Sequence, residues 1–412
     1  MKKLYLLTTG FPYPAKSMET YLETEVKFYD KFDTVKILAM GVRKNTVSMA
    51  RDIDGKNIKI YPIIFSSILF YLLNGITALF DKNFYSELKK LSRRKLVSLH
   101  SIARLVIYIS RSHSDCRKIV RILGLSKKNK IKDAVLYTYR FEYQPYVACL
   151  LKKYFEEPKI ISRAHRYDLY EESNSDKYIP MREFILNNIS KVYLISENGK
   201  EYLGNKYPEY KDKMVVSKLG TSDNGVENYH KTERIRIVSC SNIVKVKRVD
   251  VLVECLSKID NINIDWVHFG GGEGEKDIKL MAGKMLGSNI SYDIKGKVDN
   301  KTVLDYYKNN IIDIFINLSA SEGIPVSIME ANSFGIPCIA TNVGGTGEIV
   351  YNNINGFLLD AEFRINDVVN IIENYNNMSY EEIMELRHNA RKIWENNYSA
   401  ENNYKSFIQE LI

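Results

Sequence analysis

Near position 320 the chain gathers groups that bind an anion and groups that grip hydroxyls. The residues are Asn317-Leu318-Ser319-Ala320-Ser321-Glu322-Gly323-Ile324-Pro325-Val326-Ser327-Ile328-Met329-Glu330-Ala331. An apolar, β-forming run (313–318) empties into a short loop that carries Glu322 and Gly323. Pro325 then stands at a position suited to the first turn of a helix. Free N–H groups and the helix dipole make such a junction a site for an anion, a diphosphate for example. Glu330 lies about one turn into that helix and can reach back to the same pocket. Two carboxylates accepting hydrogen bonds from hydroxyls, beside a backbone that cradles phosphate, suit a sugar nucleotide. On spacing alone, a surface loop acid and a solvated helix acid fit equally well.

Other residues invite chemistry with less specificity. Thr8-Thr9-Gly10-Phe11-Pro12-Tyr13 is a glycine turn after an apolar run, and Gly10 there permits close approach of backbone to a ligand. Ser162-Arg163-Ala164-His165-Arg166-Tyr167-Asp168 sets His165 at the carboxyl end of another run, with Asp168 placed to orient His165 or Arg166. A lone histidine is more often a satisfied hydrogen-bonding residue than a reactive one. Asp52-Ile53-Asp54 reads as a D-x-D metal motif, but it precedes Gly55 in a polar turn and is taken as surface loop. The run from His268 to Glu275 is glycine-rich, yet Glu275 occupies the third glycine position of G-x-G-x-x-G, which argues against a dinucleotide site.

The elements that must position these groups alternate. Runs at 3–9, 33–41, 134–138, 159–165, 191–196 and 214–219 read as strands, with helix-length segments between most of them. A polar stretch at 221–232 containing Asp-Asn-Gly reads as a linker. A second strand series follows it. This alternation predicts an α/β chain of two doubly wound domains in tandem, with ligands at the strand carboxyl ends and a cleft between facing sheets. The 412 residues suffice for a full core in each half. With 45% hydrophobic and 26% charged residues the chain is neither disordered, collagen-like nor polytopic. Five scattered cysteines without a C-x-x-C pair exclude a disulfide framework and a cysteine-rich zinc site, and fit a reducing compartment. The N-terminal apolar run is too short for a signal peptide.

One segment breaks the pattern. Residues 60–80 contain no charge over 21 positions, the length of a membrane-spanning helix. Residues 82–132 hold fifteen Lys/Arg against two acids, a net of +13 in a chain of net +9. A span would divide the first sheet between two sides of a bilayer. The expectation is a helical excursion over 60–132 that lies on or dips into an anionic membrane, in preference to a buried helix pair or a span. Few aromatics interleave with these cations, which argues against a nucleic-acid partner.

The residues from Asn317 to Val350 resemble the donor-site block of retaining glycosyltransferases of family four, the glycosyl transferases group one of the GT-B fold. Glu322 and Glu330 match its E-x7-E signature, and Asn355-Gly356-Phe357-Leu358-Leu359 resembles its N-G-x-L-L strand. The resemblance is clear over 233–412, moderate over 1–59 and 134–232, and weakest over 60–132. It implies that Glu322 sits near the donor sugar and the reacting centre. It implies that Glu330 binds the nucleotide ribose, and that the backbone around Gly323, Ile324, Pro325 and Val326 faces sugar and diphosphate. Lys297 and Val298 resemble the base-binding stretch. The family's phosphate cations are an arginine and, five residues later, a lysine; Lys247 matches the lysine, whereas Asn242 stands where the arginine is usual, and Arg248 is the candidate second charge. His165 matches a family histidine near the reacting sugar, and Gly10 a family glycine turn.

The resulting expectation is an acceptor-binding domain over 1–222, a nucleotide-sugar domain over 233–395, and a C-terminal helix over 396–412 that crosses back. The expected activity is retaining, metal-independent transfer of a hexose from a nucleotide sugar, most simply a UDP-sugar. The acceptor would be a lipid-linked glycan of a bacterial surface polysaccharide, met peripherally at the cytoplasmic face of the membrane. No cofactor is expected. A soluble or protein acceptor, or a non-catalytic sugar-nucleotide binder supported by Asn242, are the alternatives.

Overall fold

The computed structural model describes residues 2–14, 19, 21–226 and 228–412. They form two compact units. The first takes the chain up to Ser217 together with Tyr404–Ile412, and the second is Lys218–Asn403.

The first unit is built on seven parallel strands: β1 (Lys3–Thr8), β2 (Thr34–Val42), β3 (Ile58–Ile64), β4 (Ala134–Thr138), β5 (Lys159–Ala164), β6 (Lys191–Leu194) and β7 (Met214–Val216). Their order is β3-β2-β1-β4-β5-β6-β7. Alternate residues of β1 go to opposite faces. Leu4 and Leu6 join Val35, Ile37, Tyr137 and Tyr193, a layer closed by Phe407, Ile408 and Leu411 of the last helix. Tyr5 and Leu7 join Leu38, Met40 and Leu136 beneath the helices of 82–123. Both faces are apolar because helices cover both sides of a parallel sheet.

The second unit repeats the plan with β8 (Ile235–Cys240), β9 (Ile264–Phe269), β10 (Ile290–Ile294), β11 (Ile314–Asn317), β12 (Cys338–Thr341) and β13 (Gly356–Leu359). Their order is β10-β9-β8-β11-β12-β13. Ile237, Trp266, Ile316 and Ile339 share a core with Leu252, Leu256, Val368 and Ile372 of flanking helices. The strand order reverses at β1/β4 in one sheet and at β8/β11 in the other. Crossovers diverge there and leave a crevice outside the carboxyl ends.

Two sequence expectations change. The uncharged run at 60–80 is no single helix. Its first residues complete β3, an edge strand that tolerates Pro62, and the remainder forms the short helices Ile68–Leu73 and Ile76–Leu79. Ser67 caps the first by accepting the Phe70 N–H, and Asn74–Gly75 ends it. A count of apolar residues does not register these stop signals. Among the described residues no helix is long and apolar enough to cross a membrane. The described residues of the stretch read as a linker at 221–232 instead belong to the second unit. Trp394 Nε1 donates to Thr221 Oγ1 at 2.7 Å, and the Tyr229 hydroxyl donates to Asp313 at 2.6 Å. Asp52 and Asp54 are exposed in the loop before β3.

Candidate active site

In the second unit, the loops leaving β8 and β11 at the switch point are tied together. The Ala320 N–H donates to the Val246 carbonyl at 2.8 Å. This sets Lys247 against Glu322: Lys247 Nζ donates to Glu322 Oε1 at 2.5 Å, and Asn317 Nδ2 lies 3.3 Å from the same oxygen. Glu322 is 9% exposed, and these two donors give its shielded oxygen hydrogen-bond partners. A small cavity beside the pair is lined by Ser241, Lys247, Arg248 and Asn317. Arg248 takes a left-handed backbone, φ 50°. It lines that cavity, but its guanidinium donates to the Ala361 carbonyl at 2.9 Å rather than to Glu322. Asn242 is exposed on the β8 loop.

The helix beyond Glu322 is Val326–Ser333. Pro325 is its N-cap rather than part of its first turn, and the Pro325 carbonyl accepts from Ile328 at 3.1 Å. The first-turn N–H groups, Val326 and Ser327 leading, therefore have no upstream carbonyl within the helix. Gly323 and Ile324 are buried in the preceding turn. A second turn braces it: the Gly345 N–H donates to the Gly323 carbonyl at 2.7 Å. Gly344, at φ +56°, has no room for a side chain, since a Cβ would lie 2.0 Å from the Glu322 carbonyl oxygen. Glu330 is half-buried, and desolvation pushes its carboxyl up to about 7, against a hydrogen bond from Asn300 Nδ2 at 2.8 Å. Lys297 is exposed and Val298 half-buried after β10. The glycine-rich turn after β9 is a brace: a Cβ on Gly270 would meet the Ser241 carbonyl at 1.9 Å, and one on Gly271 the Lys297 nitrogen at 3.0 Å. His268 below it bonds Ser239 Oγ and the Ser241 carbonyl, and burial lowers its pKa to about 4, so it is a neutral strut.

In the first unit, the Gly10 turn follows β1 at the other switch point. A buried carboxylate shapes it. Glu19 accepts the N–H groups of Thr9, Gly10 and Phe11 at 2.9–3.1 Å. Arg140, beyond β4, lies 3.8 Å from Glu19. His165 follows β5, and Asp168 orients it. Asp168 accepts the His165 N–H at 2.9 Å, lies 3.4 Å from Nδ1, and also accepts the Phe141 N–H at 2.9 Å. Burial outweighs Asp168 and lowers the His165 pKa to about 4. Burial also opposes Asp168's ionisation, but the donors around it and Arg140 hold its pKa well below the usual carboxylate range. A neutral His165 that directs its Nδ1–H at Asp168 leaves Nε2 as an acceptor, and that buried atom has no partner among the described residues. Gln144, just after Arg140 in the chain, is buried, with Nε2 donating to Thr9 Oγ1 at 3.1 Å and Oε1 unpaired among the described residues.

Sequence reading missed Glu19, Gln144, Arg140 and Asn300, and gave Asn317 and Gly344, inside the block it singled out, no role of their own. For Gln144 and Arg140 a signal existed, because both follow the strand at the switch point. Asn300 and Glu19 act through contacts that spacing does not reveal.

Residues 223–393 match the model of a family described as glycosyl transferases group 1. Among curated relatives, Protein CapJ of Staphylococcus aureus is 26% identical over 57% of this chain and 61% of its own length. The O-antigen biosynthesis glycosyltransferase WbnH of Escherichia coli is 27% identical over 43% of this chain and 48% of its own. The matches thus span about half the length of these relatives. Among solved structures, Anabaena Alr3699/HepE in complex with UDP-glucose superposes with a TM-score of 0.63 at 14% identity, covering 99% of both chains. On this evidence the chain has the GT-B fold, and its residues 223–393 are a domain of the glycosyl transferases group 1 family.

Proposed function

We propose that the chain is a retaining, metal-independent glycosyltransferase that moves a hexose from a nucleotide sugar, a UDP-sugar, to a lipid-linked glycan in bacterial surface-polysaccharide synthesis. The observation that carries the reading is the Lys247–Glu322 contact at the β8/β11 switch point, 2.5 Å long. On this reading the pair supplies the cation for the diphosphate and the carboxylate for its sugar. On this reading the diphosphate sits between Lys247 and the first-turn N–H groups of Val326 and Ser327. Lys247 and those N–H groups stabilise the charge that develops as the nucleotide leaves. Glu322 takes donor-sugar hydroxyls, Glu330 takes the ribose, and Lys297 and Val298 flank the base. Arg248 lines the cavity beside Lys247, and Asn242, on the loop that leads to it, is the further donor-side candidate. The acceptor hydroxyl attacks from the face the diphosphate leaves, and the diphosphate takes its proton, so no side-chain base is required. Gly10, His165 and Asp168 form the acceptor edge of the first unit, with His165 Nε2 accepting from a sugar hydroxyl. UDP-bound and O-antigen-making relatives support donor and pathway. The apolar and basic surface of 68–95 supports peripheral attachment at the cytoplasmic face of the membrane.

A screen of purified protein against nucleotide sugars, read as thermal shift and as slow donor hydrolysis, tests this. One donor should stabilise and be turned over. The proposal fails if none does, or if Lys247→Met and Glu322→Gln leave binding and turnover as in wild type.

A further inference from the structure

The two short helices after β3 expose apolar side chains to an unusual extent. Ile68, Leu69, Leu73, Ile76, Leu79 and Phe80 are all more than half exposed, with Leu73 at 75% and Phe80 at 85%. A contiguous apolar surface of this kind on a soluble domain marks an interaction site. The helices are not loose. Tyr71 and Ala78 are fully buried beneath them, and the Ser66 N–H donates to the Tyr71 hydroxyl at 3.1 Å. A Cβ on Gly75 would meet the Val106 side chain at 2.6 Å, so this turn is pressed onto the long Leu99–Leu123 helix. Asp81 closes the element, accepting from the Tyr146 hydroxyl at 2.5 Å and lying 2.7 Å from His113 Nε2. The scaffold therefore holds these side chains outward.

Cations follow at once. Lys82, Lys89, Arg93 and Lys95 are exposed on or just after the Lys82–Arg93 helix, and among the described residues none has a carboxylate within ion-pair distance. Residues 65–80 carry no charge at all. This pairing selects the occupant. A two-fold dimer would set the patch against itself and bring these cations toward their own copies. An anionic bilayer satisfies both halves, with apolar side chains in the acyl boundary and cations at the headgroups.

The topology adds a direction. The apolar helices leave the carboxyl end of β3, and all strands of the sheet are parallel, so they emerge at the edge that bears Gly10 and His165. β3 lies two strands from β1, about 10 Å at the usual strand spacing. We infer that the Ile68–Phe80 element is a membrane-inserting anchor. It seats an anionic bilayer against the acceptor edge, so that a glycan carried on a lipid enters beside Gly10. This deepens the lipid-acceptor reading and rests on it for its purpose, but vesicle binding itself needs no turnover.

The test is flotation of the full chain with vesicles of phosphatidylcholine alone or mixed with phosphatidylglycerol. Wild type should float with the mixed vesicles. Leu73→Ser/Ile76→Ser/Phe80→Ser should lose at least about tenfold in partitioning at low salt. Lys82→Glu/Lys89→Glu/Arg93→Glu should lose on the order of a hundredfold on mixed vesicles and little on neutral ones. Both variants should keep the wild-type melting temperature and donor hydrolysis, since every altered side chain is exposed and none belongs to the donor site. Failure of wild type to float, or flotation of the apolar variant at wild-type levels, overturns the anchor. So does a wild-type dimer in light scattering that the apolar variant converts to monomer. Flotation without any donor hydrolysis would keep the anchor and discard the transferase.

Discussion

Substitutions at Lys247 and Glu322 should move nucleotide binding in opposite directions, although the two side chains touch. In the free protein Lys247 already donates to Glu322. A diphosphate arriving beside Lys247 gains a charge-assisted hydrogen bond worth about 1.5–3 kcal/mol, but it also meets the Glu322 carboxylate. Lys247→Met removes the attraction and should weaken UDP about tenfold to a hundredfold. At a UDP concentration of about a hundred times the wild-type Kd, stabilisation should fall from about 2.7 kcal/mol to about 0.4–1.4 kcal/mol. In a unit the size of Lys218–Asn403, a shift of roughly 5–10 °C would shrink to a few degrees or less. Glu322→Gln removes the repulsion and keeps the shape, so its UDP shift should equal or exceed wild type while turnover falls. Lys247→Met should also lower donor turnover by about a hundredfold to a thousandfold, the usual effect of deleting one donor aimed at developing charge. Differential scanning with UDP and a coupled assay of UDP release read both quantities. A Lys247→Met protein with the wild-type UDP shift would refute the reasoning. So would a Glu322→Gln protein that loses UDP as badly as Lys247→Met, since the pair would then be merely structural.

Glu330 should make UDP affinity pH-dependent. Its ionised form accepts ribose hydroxyls, and burial holds its pKa near 7, so affinity should rise as pH rises through about 7, and Glu330→Gln should flatten the profile. The same raised pKa means the native state holds a proton the unfolded chain has lost. Stability from this group should therefore fall as pH rises from the ordinary glutamate range through about 7, a decline absent in Glu330→Gln melting curves. Gly344→Ala should destabilise by about 1–3 kcal/mol and abolish the UDP shift, because its Cβ would strike the Glu322 carbonyl; an unchanged melting temperature would contradict this. Glu19→Ala should leave the N–H groups of Thr9, Gly10 and Phe11 without their acceptor, raising KM for the acceptor while donor hydrolysis by the same preparation stays near wild type.

The two sheets could be read directly from residue order. Short β-forming runs bounded by turn residues, alternating with helix-length segments, are local features, and parallel strands with buried faces write them strongly. The loop from Glu322 to Glu330 was equally legible, since strand, loop and helix start lie within a dozen or so residues. β3 was obscured because its apolar residues merge with those of the helices after it, and whether such a run becomes a strand depends on β2 standing free to pair with it. The contacts that turn single residues into a site were decided in three dimensions. Lys247 and Glu322 lie 75 positions apart and meet because β8 and β11 are neighbours at the point where the sheet reverses. Arg248 borders the same cavity but sends its guanidinium to the Ala361 carbonyl, 113 positions away in the chain. Glu19 reaches the Gly10 turn, and Asn300 reaches Glu330, through space alone. Backbone conformation is written in neighbouring residues, whereas the aim of a charged side chain depends on whichever loop the fold brings opposite it.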